Sequence, residues 1–401
     1  MNLAQDELQG WLALAAGGLA SRQRARRLLT YFGGPLQVFG ATAADWRQVL
    51  DGERCDGLDA SFRAMQGTAL RTMAWLAQSP THHVLHPGDA HYPGILLESP
   101  DPPLLLHATG QLESLARPAV ALVGSRHATP AGQHWARRLG TELNVLGIEV
   151  VSGLAVGIDA AAHEAALKGK GAASTIAVAA CGLDQVYPRQ HAGLFKEISE
   201  AGLVVSEHPL DTPALPAFFP QRNRIIAGLS RAVVVIEAAE RSGSLITARL
   251  AGEAGRDVFA VPGHWTSPQA AGCNRLIKSG AGLLENVADI IESQPWAFSA
   301  QVCQTVQANR WRRHKGASSG HGPCAEGGAE DHGGVWVQGG LSAASWSQLC
   351  RLLRTKPCDL GELADAVSGD APQVSRTLLM AELQGLVARL PGGLYQWCVK
   401  P

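Results

Sequence analysis

Four stretches of the chain combine glycine or serine with basic residues, the types that hold phosphate through backbone N–H groups, hydroxyls and guanidinium groups. The first is GSRHATPAG, Gly124 to Gly132, directly after an apolar run. Gly124 would let a ligand approach the backbone, and Arg126 could grip a phosphate with two parallel hydrogen bonds. The alternative is a plain tight turn that carries a surface arginine.

The second stretch is SGLAVGIDAAAH, Ser152 to His163. Its Gly153 and Gly157 could free backbone N–H groups to form a nest for an anion. Asp159 is interpreted as a structural cap of the helix that follows. His163, one turn further on, is interpreted as a buried or capping histidine and not as a general base.

The third stretch, FFPQRNRIIAGLS, contains Arg222, Asn223 and Arg224 where a helix is expected to begin. Two guanidinium groups and an amide would therefore converge near a positive helix end. Phe218 and Phe219 precede them, and an aromatic ring beside paired arginines suits a stacked base with its phosphate. Burial of both rings in the core is the alternative.

The fourth stretch is AERSGSLITARLAGEAG. Ser242, Gly243 and Ser244 are predicted to cap a helix whose first turn presents Thr247, which is again a design that suits phosphate. Arg249 could reinforce this site or face solvent.

Short apolar runs alternate with helical patterns around these stretches, which predicts an α/β fold with a mainly parallel sheet covered on both faces. Ligands of such sheets collect beyond the carboxyl ends of the strands, where the four stretches lie. The expected strands are ALVG, IEVVSG, TIAVAACG, LVVSE, AVVVIEA and DVFAVPG, and the expected helices cover residues 131–146, 157–168, 190–201, 223–230 and 245–255.

With 401 residues, of which 46% are hydrophobic, the chain can form two or three domains. Residues 1–78 are expected to form a helical N-terminal domain, 79–296 the α/β domain, 297–343 a flexible linker and 344–401 a winged-helix module. The linker is rich in glycine and polar residues and has no apolar period. Its NRWRRHK run could touch DNA, but a solvated tether is the favoured interpretation.

The two flanking modules leave their roles open. In the first, a cluster of arginines could hold a DNA backbone, although a solvated basic helix face is favoured. In the second, Gln373 and Arg376 of the third helix could contact DNA, and contact with a protein is equally compatible. The arginines are Arg22, Arg24, Arg26 and Arg27, and the apolar side of that third helix comprises Val374, Leu378, Leu379, Leu383, Leu386, Val387 and Leu390.

Composition excludes several classes of protein. The net charge of −1 excludes a globally basic nucleic-acid coat, so a polyanion would need a local basic site. The eight cysteines form no C-x-x-C pair, which argues against a zinc ribbon and a disulfide scaffold. No apolar run reaches the roughly 20 residues that cross a bilayer, and the early acids do not suit a signal peptide, so a cytoplasmic protein without a membrane partner is expected.

Known phosphate motifs narrow the choice of ligand. A dinucleotide site needs G-x-G-x-x-G after the first strand and an acid at the end of the second, but Gly124 is followed by Arg126 and the second strand ends in Ser152. The P-loop pattern and a nucleophile elbow are absent too, and His82, His83, His86 and His91 lack metal-ligand spacing. A site that binds without converting is favoured, and the alternatives are a nucleotide phosphohydrolase or glycosidase and a protein-interaction scaffold.

Eight segments of the chain follow in an order that resembles that of the DNA-processing protein A family, DprA or Smf, over residues 80–295. This resemblance implies an extended Rossmann-like domain that binds single-stranded DNA as a homodimer, protects incoming DNA and loads the RecA recombinase onto it in natural transformation. The segments are VALVGSRHATPAG, VVSGLAVGIDAAAH, AACGLDQVYP, VVSEHP, FPQRNRIIAGLS, RSGSLITARLA, VFAVPG and GCNRLIKSGAGLLE.

The resemblance also assigns DNA contacts by motif position. Two positions depart from the family pattern, because Val156 and Gln221 stand where a basic residue is frequent, and weaker phosphate binding is expected there. The N-terminal segment lacks the family's Pro-Gly-Ile-Gly turn, so a DNA role is not expected of it. The implied contacts are Gly124, Ser125, Arg126, Ser152, Gly153, Gly157, Phe219, Arg222, Asn223, Arg224, Ser242, Gly243, Ser244 and Thr247.

Overall fold

The computed structural model describes residues 3–16, 19–50, 58–306, 343–356, 358–367, 371–383, 387–389 and 394–397. The chain divides into two compact units, Met1–Gly320 and His321–Pro401. Most of the predicted linker, with its NRWRRHK run, lies outside the described residues. The domain boundaries expected near 78 and 296 stay predictions.

The first unit is built on a nine-stranded sheet in the order β1-β2-β6-β5-β4-β3-β7-β8-β9. Strands β3 to β9 pair in parallel, whereas β2 pairs antiparallel with both β1 and β6. The predicted mainly parallel sheet is confirmed. The strands are β1 (His82–Leu85), β2 (Leu106–Gly110), β3 (Ala119–Val123), β4 (Glu149–Ser152), β5 (Thr175–Val178), β6 (Leu203–Ser206), β7 (Ala232–Val235), β8 (Asp257–Ala260) and β9 (Gly282–Leu283).

Helices cover both faces of this sheet, as continuously apolar strands require. On one face, residues of α8, α9 and α14 such as Leu139 and Ile290 pack against Val120 and Leu122 of β3. On the other, Ile225 of α11 and Ala248 of α12 join the opposite side chains of the same strands. The helices are α7 (Gly94–Leu97), α8 (Pro130–Val145), α9 (Ile158–Lys168), α10 (Ala192–Ala201), α11 (Phe218–Leu229), α12 (Ser244–Glu253), α13 (Ala271–Lys278) and α14 (Val287–Ser293).

Six helices precede the sheet and share cores with it. Leu14, Leu28 and Trp46 pack in one cluster with Leu104, which lies just before β2. Residues 300–306 are also helical and are labelled α15. The six helices are α1 (Leu3–Ala15), α2 (Leu19–Phe32), α3 (Pro35–Gly40), α4 (Ala43–Val49), α5 (Leu58–Ala64) and α6 (Gln66–Leu76).

Three of the four arginines of α2 bond other parts of the protein, so the interpretation of this cluster as a solvated face is wrong for Arg22, Arg26 and Arg27. Arg22 is buried and its Nη2 lies 2.5 Å from Asp101 Oδ2, while Arg26 Nη2 lies 3.0 Å from Asp101 Oδ1. Arg27 donates to the Val49 carbonyl at 2.8 Å. These side chains therefore join the N-terminal helices to each other and to the chain before β2, instead of facing a DNA backbone.

The second unit has the three helices and the strand pair expected of a winged-helix module. They are α16 (Ala343–Thr355), α17 (Leu360–Ala366), α18 (Ala371–Leu383), β10 (Val387–Arg389) and β11 (Tyr395–Trp397). The expected extent of the third helix is wrong, because α18 ends at Leu383 and Val387 begins a strand that pairs with Trp397. Val374 and Leu378 are buried as predicted, but Leu379 is exposed. Leu386, Leu390 and the PGG turn lie outside the described residues.

No helix among the described residues is long and apolar enough to span a membrane.

Candidate nucleic-acid interface

A pocket of about 640 Å³ opens at the carboxyl edge of the sheet between β3 and β7. From β3 the chain crosses to β4 on one side, and from β7 it crosses to β8 on the other, so this is the switch point where open α/β sheets bind ligands. The predicted site residues that line it are Gly124, Ser125, Arg126, Phe219, Arg222, Asn223, Ser242, Gly243, Ser244 and Thr247.

Gly124, which lines the pocket, and Gly157 of the next loop let these two loops pack on each other. A Cβ on Gly124 would lie 2.6 Å from Ile158 Cγ1, and one on Gly157 would collide with the Ser125 carbonyl oxygen. Gly157 also has a φ of 87°, a conformation that favours glycine. The Ile158 N–H donates to Ser125 O at 3.2 Å, so the two loops form one rigid floor. The close approach expected of Gly124 is thus made to the protein itself.

The amino end of α8 already holds an anionic side chain. Thr129 caps this helix by accepting from the Gly132 N–H at 3.1 Å, and the Thr129 N–H donates to Glu237 Oε2 at 2.9 Å. The Thr129 hydroxyl bonds the other carboxylate oxygen of Glu237, and a Cβ on Gly132 would collide with that carboxylate. Glu237 therefore occupies the helix end where a dinucleotide fold would place its phosphate.

The nest expected at Gly153 is occupied in the same way. The Gly153 and Ala155 N–H groups donate to Asp159 Oδ2 at 3.1 and 3.4 Å. Burial raises the pKa of the Asp159 carboxyl above its ordinary value, although the charge of Arg222 and the two amides oppose that shift. Asp159 is structural, as predicted, but it closes the loop before α9 instead of capping the helix amides.

Arg222 secures this loop from the opposite side. Its Nη1 donates to the Gly153 carbonyl at 2.5 Å and also to the Val178 carbonyl, and its relative exposure is only 5%. Burial lowers the pKa of Arg222 to about 10, so the guanidinium stays charged at neutral pH and faces Asp159. A Cβ on Gly153 would lie 2.5 Å from Arg222 Nη1, which explains the glycine there.

Four of the implied contact residues do not line the pocket: Gly153 and Gly157, whose loops are described above, and Ser152 and Arg224. Ser152 is fully buried and its hydroxyl donates to the Leu122 carbonyl at 2.6 Å. Arg224 donates to the carboxylate of Glu207 and, through Nη1, to the Asp101 carbonyl at 2.5 Å. The cause is the helix start, because α11 begins at Phe218, and residues two apart on a helix point in different directions. Arg222 and Arg224 therefore do not converge on one anion.

The amino end of α12 differs from those of α8 and α9. Its first turn contains no acid, and among the described residues no carboxylate bonds its Ser242–Ser244 cap. The Ser242 hydroxyl accepts from the Ser244 N–H at 3.3 Å, and the two hydroxyls lie 2.7 Å apart. Hydroxyls and a positive helix end thus face the pocket without an internal anion.

Two arginines border this open helix end. Arg126 is exposed, and its Cζ lies 5.3 Å from the centroid of the Phe219 ring. Arg241 is also exposed and lines the pocket next to Ser242. Neither arginine forms an ion pair with any carboxylate in the described part of the chain. Sequence reasoning missed Arg241, although its place directly before the predicted cap was a usable signal.

Aromatic rings complete the pocket. Phe219 lies 5.3 Å from Tyr187, centroid to centroid, and Tyr187 is 47% exposed. Phe218 instead packs against His208, with centroids 4.2 Å apart, so the two phenylalanines have different surroundings. Tyr187 was not singled out from the sequence, because it lies far from the other site residues along the chain. Its YP dipeptide, in the AACGLDQVYP segment, was the only signal.

The remaining residues that the sequence analysis discussed lie outside the pocket. His163 is buried, as predicted, its Nδ1 lies 2.7 Å from Thr175 Oγ1 and its Nε2 accepts from the Leu154 N–H at 3.3 Å; burial lowers its pKa to about 3, so the imidazole is neutral at neutral pH. Arg249 pairs with Glu253 at 2.7 Å on the surface. Val156 lines a small side cavity with Tyr187, and Gln221 is exposed. Among the described residues no three potential metal ligands cluster.

A mainly parallel sheet with an anion-fitted pocket at its switch point defines a Rossmann-like binding protein for nucleotides or nucleic acids. Comparison with known families is more specific. The model of the DNA recombination-mediator protein A family matches residues 83–295, and that of the DprA winged helix domain matches residues 343–393. The chain belongs to the DNA recombination-mediator protein A family.

Individual relatives agree with this assignment. Protein Smf of Escherichia coli is 37% identical over 323 residues, which cover 80% of this chain and 79% of that protein. The DNA processing protein DprA of Streptococcus pneumoniae is 45% identical over 207 residues, 51% of this chain and 71% of that protein. Its X-ray structure superposes with a TM-score of 0.60 and 35% identity, over 73% of this chain and 98% of that one.

The family and the fold expected from the sequence are confirmed by these matches. The expected class, a DNA-processing recombination mediator and not an enzyme, is the class of this family.

Proposed function

We propose that the protein binds single-stranded DNA in the pocket between β3 and β7. A backbone phosphate lies between Arg126, Arg241 and the amino end of α12, and a base stacks on the Tyr187–Phe219 pair. The observation that carries this proposal is the open end of α12, which faces two exposed arginines with no carboxylate bonded to it.

The geometry favours a polynucleotide over a dinucleotide cofactor. A Rossmann-like fold would bind a pyrophosphate at the amino end of the helix after its first strand. Here the Glu237 carboxylate occupies that end of α8, and the Asp159 carboxylate occupies the amides of the loop before α9. The remaining anion site is open and bordered by exposed side chains. Stacking on an aromatic pair tolerates any base, so binding would depend little on sequence.

The wider role rests on family membership. We infer that the protein acts as a homodimer in the cytoplasm, protects incoming single-stranded DNA and loads RecA onto it in natural transformation. The relatives of Bacillus subtilis and Streptococcus pneumoniae are called DNA processing proteins, which supports a role at DNA. The loading step is tested by measuring how fast RecA filaments assemble on single-stranded DNA in the presence and in the absence of this protein.

Replacement of Arg126 by alanine tests the DNA site. We expect Arg126→Ala to weaken binding of single-stranded oligonucleotides of any sequence by about tenfold, and to reduce the slope of log K against log salt by about 0.7, since one phosphate contact is lost. Fluorescence anisotropy titrations at several salt concentrations measure both quantities.

Arg249→Ala is the matched control, because Arg249 is an exposed arginine of α12 that pairs with Glu253 outside the pocket. It should leave affinity and salt slope nearly unchanged. Equal affinity of Arg126→Ala, Arg241→Ala and the unaltered protein at moderate salt would contradict a DNA site in this pocket.

A further inference from the structure

Trp265 is the most exposed large hydrophobic side chain of the described residues, at 82%. An indole in water forgoes the free energy that burial would provide, so a ring held this far out needs an explanation. The neighbouring His264 ring lies roughly parallel to it, with centroids 5.9 Å apart and planes inclined by 28°.

The loop that carries Trp265 is held at both ends. Asn274 bonds both backbone groups of Gly263, accepting from its N–H at 3.2 Å and donating to its carbonyl at 3.0 Å. At the far end, the Ala238 N–H donates to Gln269 O at 2.8 Å, and the Ala238 carbonyl accepts from the Gly272 N–H at 2.8 Å. The indole is therefore displayed from an anchored loop.

This loop lies at the pocket edge of the sheet. It follows β8, which pairs in parallel with β7, so both strands end at the same edge, about 5 Å apart. Its anchor, Ala238, belongs to the loop after β7 that continues to Arg241 in the pocket wall. Arg241 thus lies in the chain between Ala238, which anchors the Trp265 loop, and Ser244, the first residue of α12.

We propose that Trp265 is a second base-stacking residue, contacted by the part of a DNA strand that leaves the pocket past Arg241. This proposal rests on the proposed function. Sites for single-stranded DNA combine cationic side chains with aromatic rings on which bases stack, and Arg126, the Tyr187–Phe219 pair, Arg241 and Trp265 are residues of these types at one edge of the sheet. A single ring flanked by His264 and Thr266 is far smaller than the apolar patch that a protein partner requires.

Oligonucleotide length tests this inference. We expect Trp265→Ala to weaken binding of an oligonucleotide of about 12 nucleotides at least fivefold, roughly the value of one stacked base, and to leave one of about 4 nucleotides unchanged, because that one fills the pocket alone. Trp265→Phe should retain most of the affinity, since it keeps an aromatic face.

Trp296→Ala is the matched control. Trp296 is 76% exposed and lies against Arg231, which precedes β7 at the opposite edge of the sheet, so its loss should not affect either oligonucleotide.

Arg126→Ala separates this inference from the proposed function, because it should weaken both lengths. If neither variant affects binding, the proposed function fails. If only Arg126→Ala does, the Trp265 inference alone is overturned. An equal loss for both lengths in Trp265→Ala, or unchanged DNA binding with altered self-association, would also overturn it.

Discussion

Helices α8 and α12 both begin at the carboxyl edge of the sheet, one after β3 and one after β7, but their amino ends differ. At α8 the Glu237 carboxylate bonds the backbone and hydroxyl of Thr129. At α12 the Ser242 and Ser244 hydroxyls bond each other, and no acid lies in the first turn. The first end contributes to stability, and the second is available to a ligand.

The same contrast divides the arginines. Arg22, Arg222 and Arg224 are buried or nearly so, and each faces a carboxylate of the protein. Arg126 and Arg241 are exposed at the pocket without such a partner in the described part of the chain. A basic residue near a glycine-rich loop is therefore available to a ligand only where no acid of the protein is already paired with it.

The largest expected effect is on stability and concerns Arg222, one of the buried arginines that face a carboxylate of the protein. We expect Arg222→Met to lower the free energy of unfolding by about 4 kcal/mol, because Asp159 would lose its buried counter-charge and two carbonyls would lose their donor. Urea unfolding measures this. Arg126→Met, the control at an exposed arginine, should change stability by less than about 0.5 kcal/mol. Comparable losses in both variants would remove the distinction between the two sets.

The next largest expected effect on stability concerns Asp101, and this effect depends on pH. Burial raises the pKa of Asp101, but the hydrogen bond from Arg22 and the charge of Arg224 outweigh it and hold the pKa below its ordinary value. An acid with a lowered native pKa stabilises the fold above its unfolded pKa, near 3.9, and loses that contribution as the pH falls through the native value.

We therefore expect Asp101→Asn to cost about 3 kcal/mol at pH 7, a difference that shrinks steadily below about pH 4. Unfolding curves of both proteins from pH 7 downward check this. Asp45→Asn is a suitable control, because Asp45 is an exposed residue in the first turn of α4 whose carboxylate accepts only from Thr42 among the hydrogen bonds of the described residues. The side-chain hydrogen bond from Thr42 lowers the pKa of Asp45 too, but an exposed carboxyl without an arginine partner should give a much smaller difference at every pH. A difference that stayed constant with pH would show that Asp101 acts through shape and not through charge.

Much of the fold could be predicted because it depends on local patterns. The apolar runs of β3 to β8 are buried on both faces, and each expected strand overlaps an observed one. Strands β1, β2 and β9 were missed, since β9 has two residues and β1, HHVL, has no apolar alternation. The third tail helix was predicted too long, because Val387 continues the helical spacing of Val374 and Leu378, although it begins strand β10.

The site was predictable to a smaller extent, because residues distant in the sequence decide which of its helix ends and arginines already bond a carboxylate of the protein. The loops were placed correctly at one edge, and ten of the implied residues line the pocket. The Glu237 carboxylate, however, belongs to a residue 108 positions after Thr129, and the Asp101 carboxylate that pairs with Arg224 lies 123 positions before it, so no local pattern shows that these anions are present. Arg224 faces the interior because α11 begins at Phe218, five residues earlier than expected.

The smallest effect on stability is expected when an acid is introduced at the amino end of α12. This substitution also tests most directly the difference between the amino ends of α8 and α12. In Ser242→Asp, the new carboxylate can accept from the groups that Ser242 now bonds, and an acid at a helix amino end stabilises by about 0.3 to 1 kcal/mol. The same charge would repel phosphate beside Arg126, so single-stranded DNA should bind about tenfold more weakly. Ser242→Asn has the same shape and capping ability without the charge and should bind DNA nearly as the unaltered protein does. Paired urea unfolding and anisotropy titrations would show stability and affinity moving in opposite directions for the aspartate variant alone. Equal DNA affinity in the two variants would mean that the open end of α12 is not where the phosphate lies.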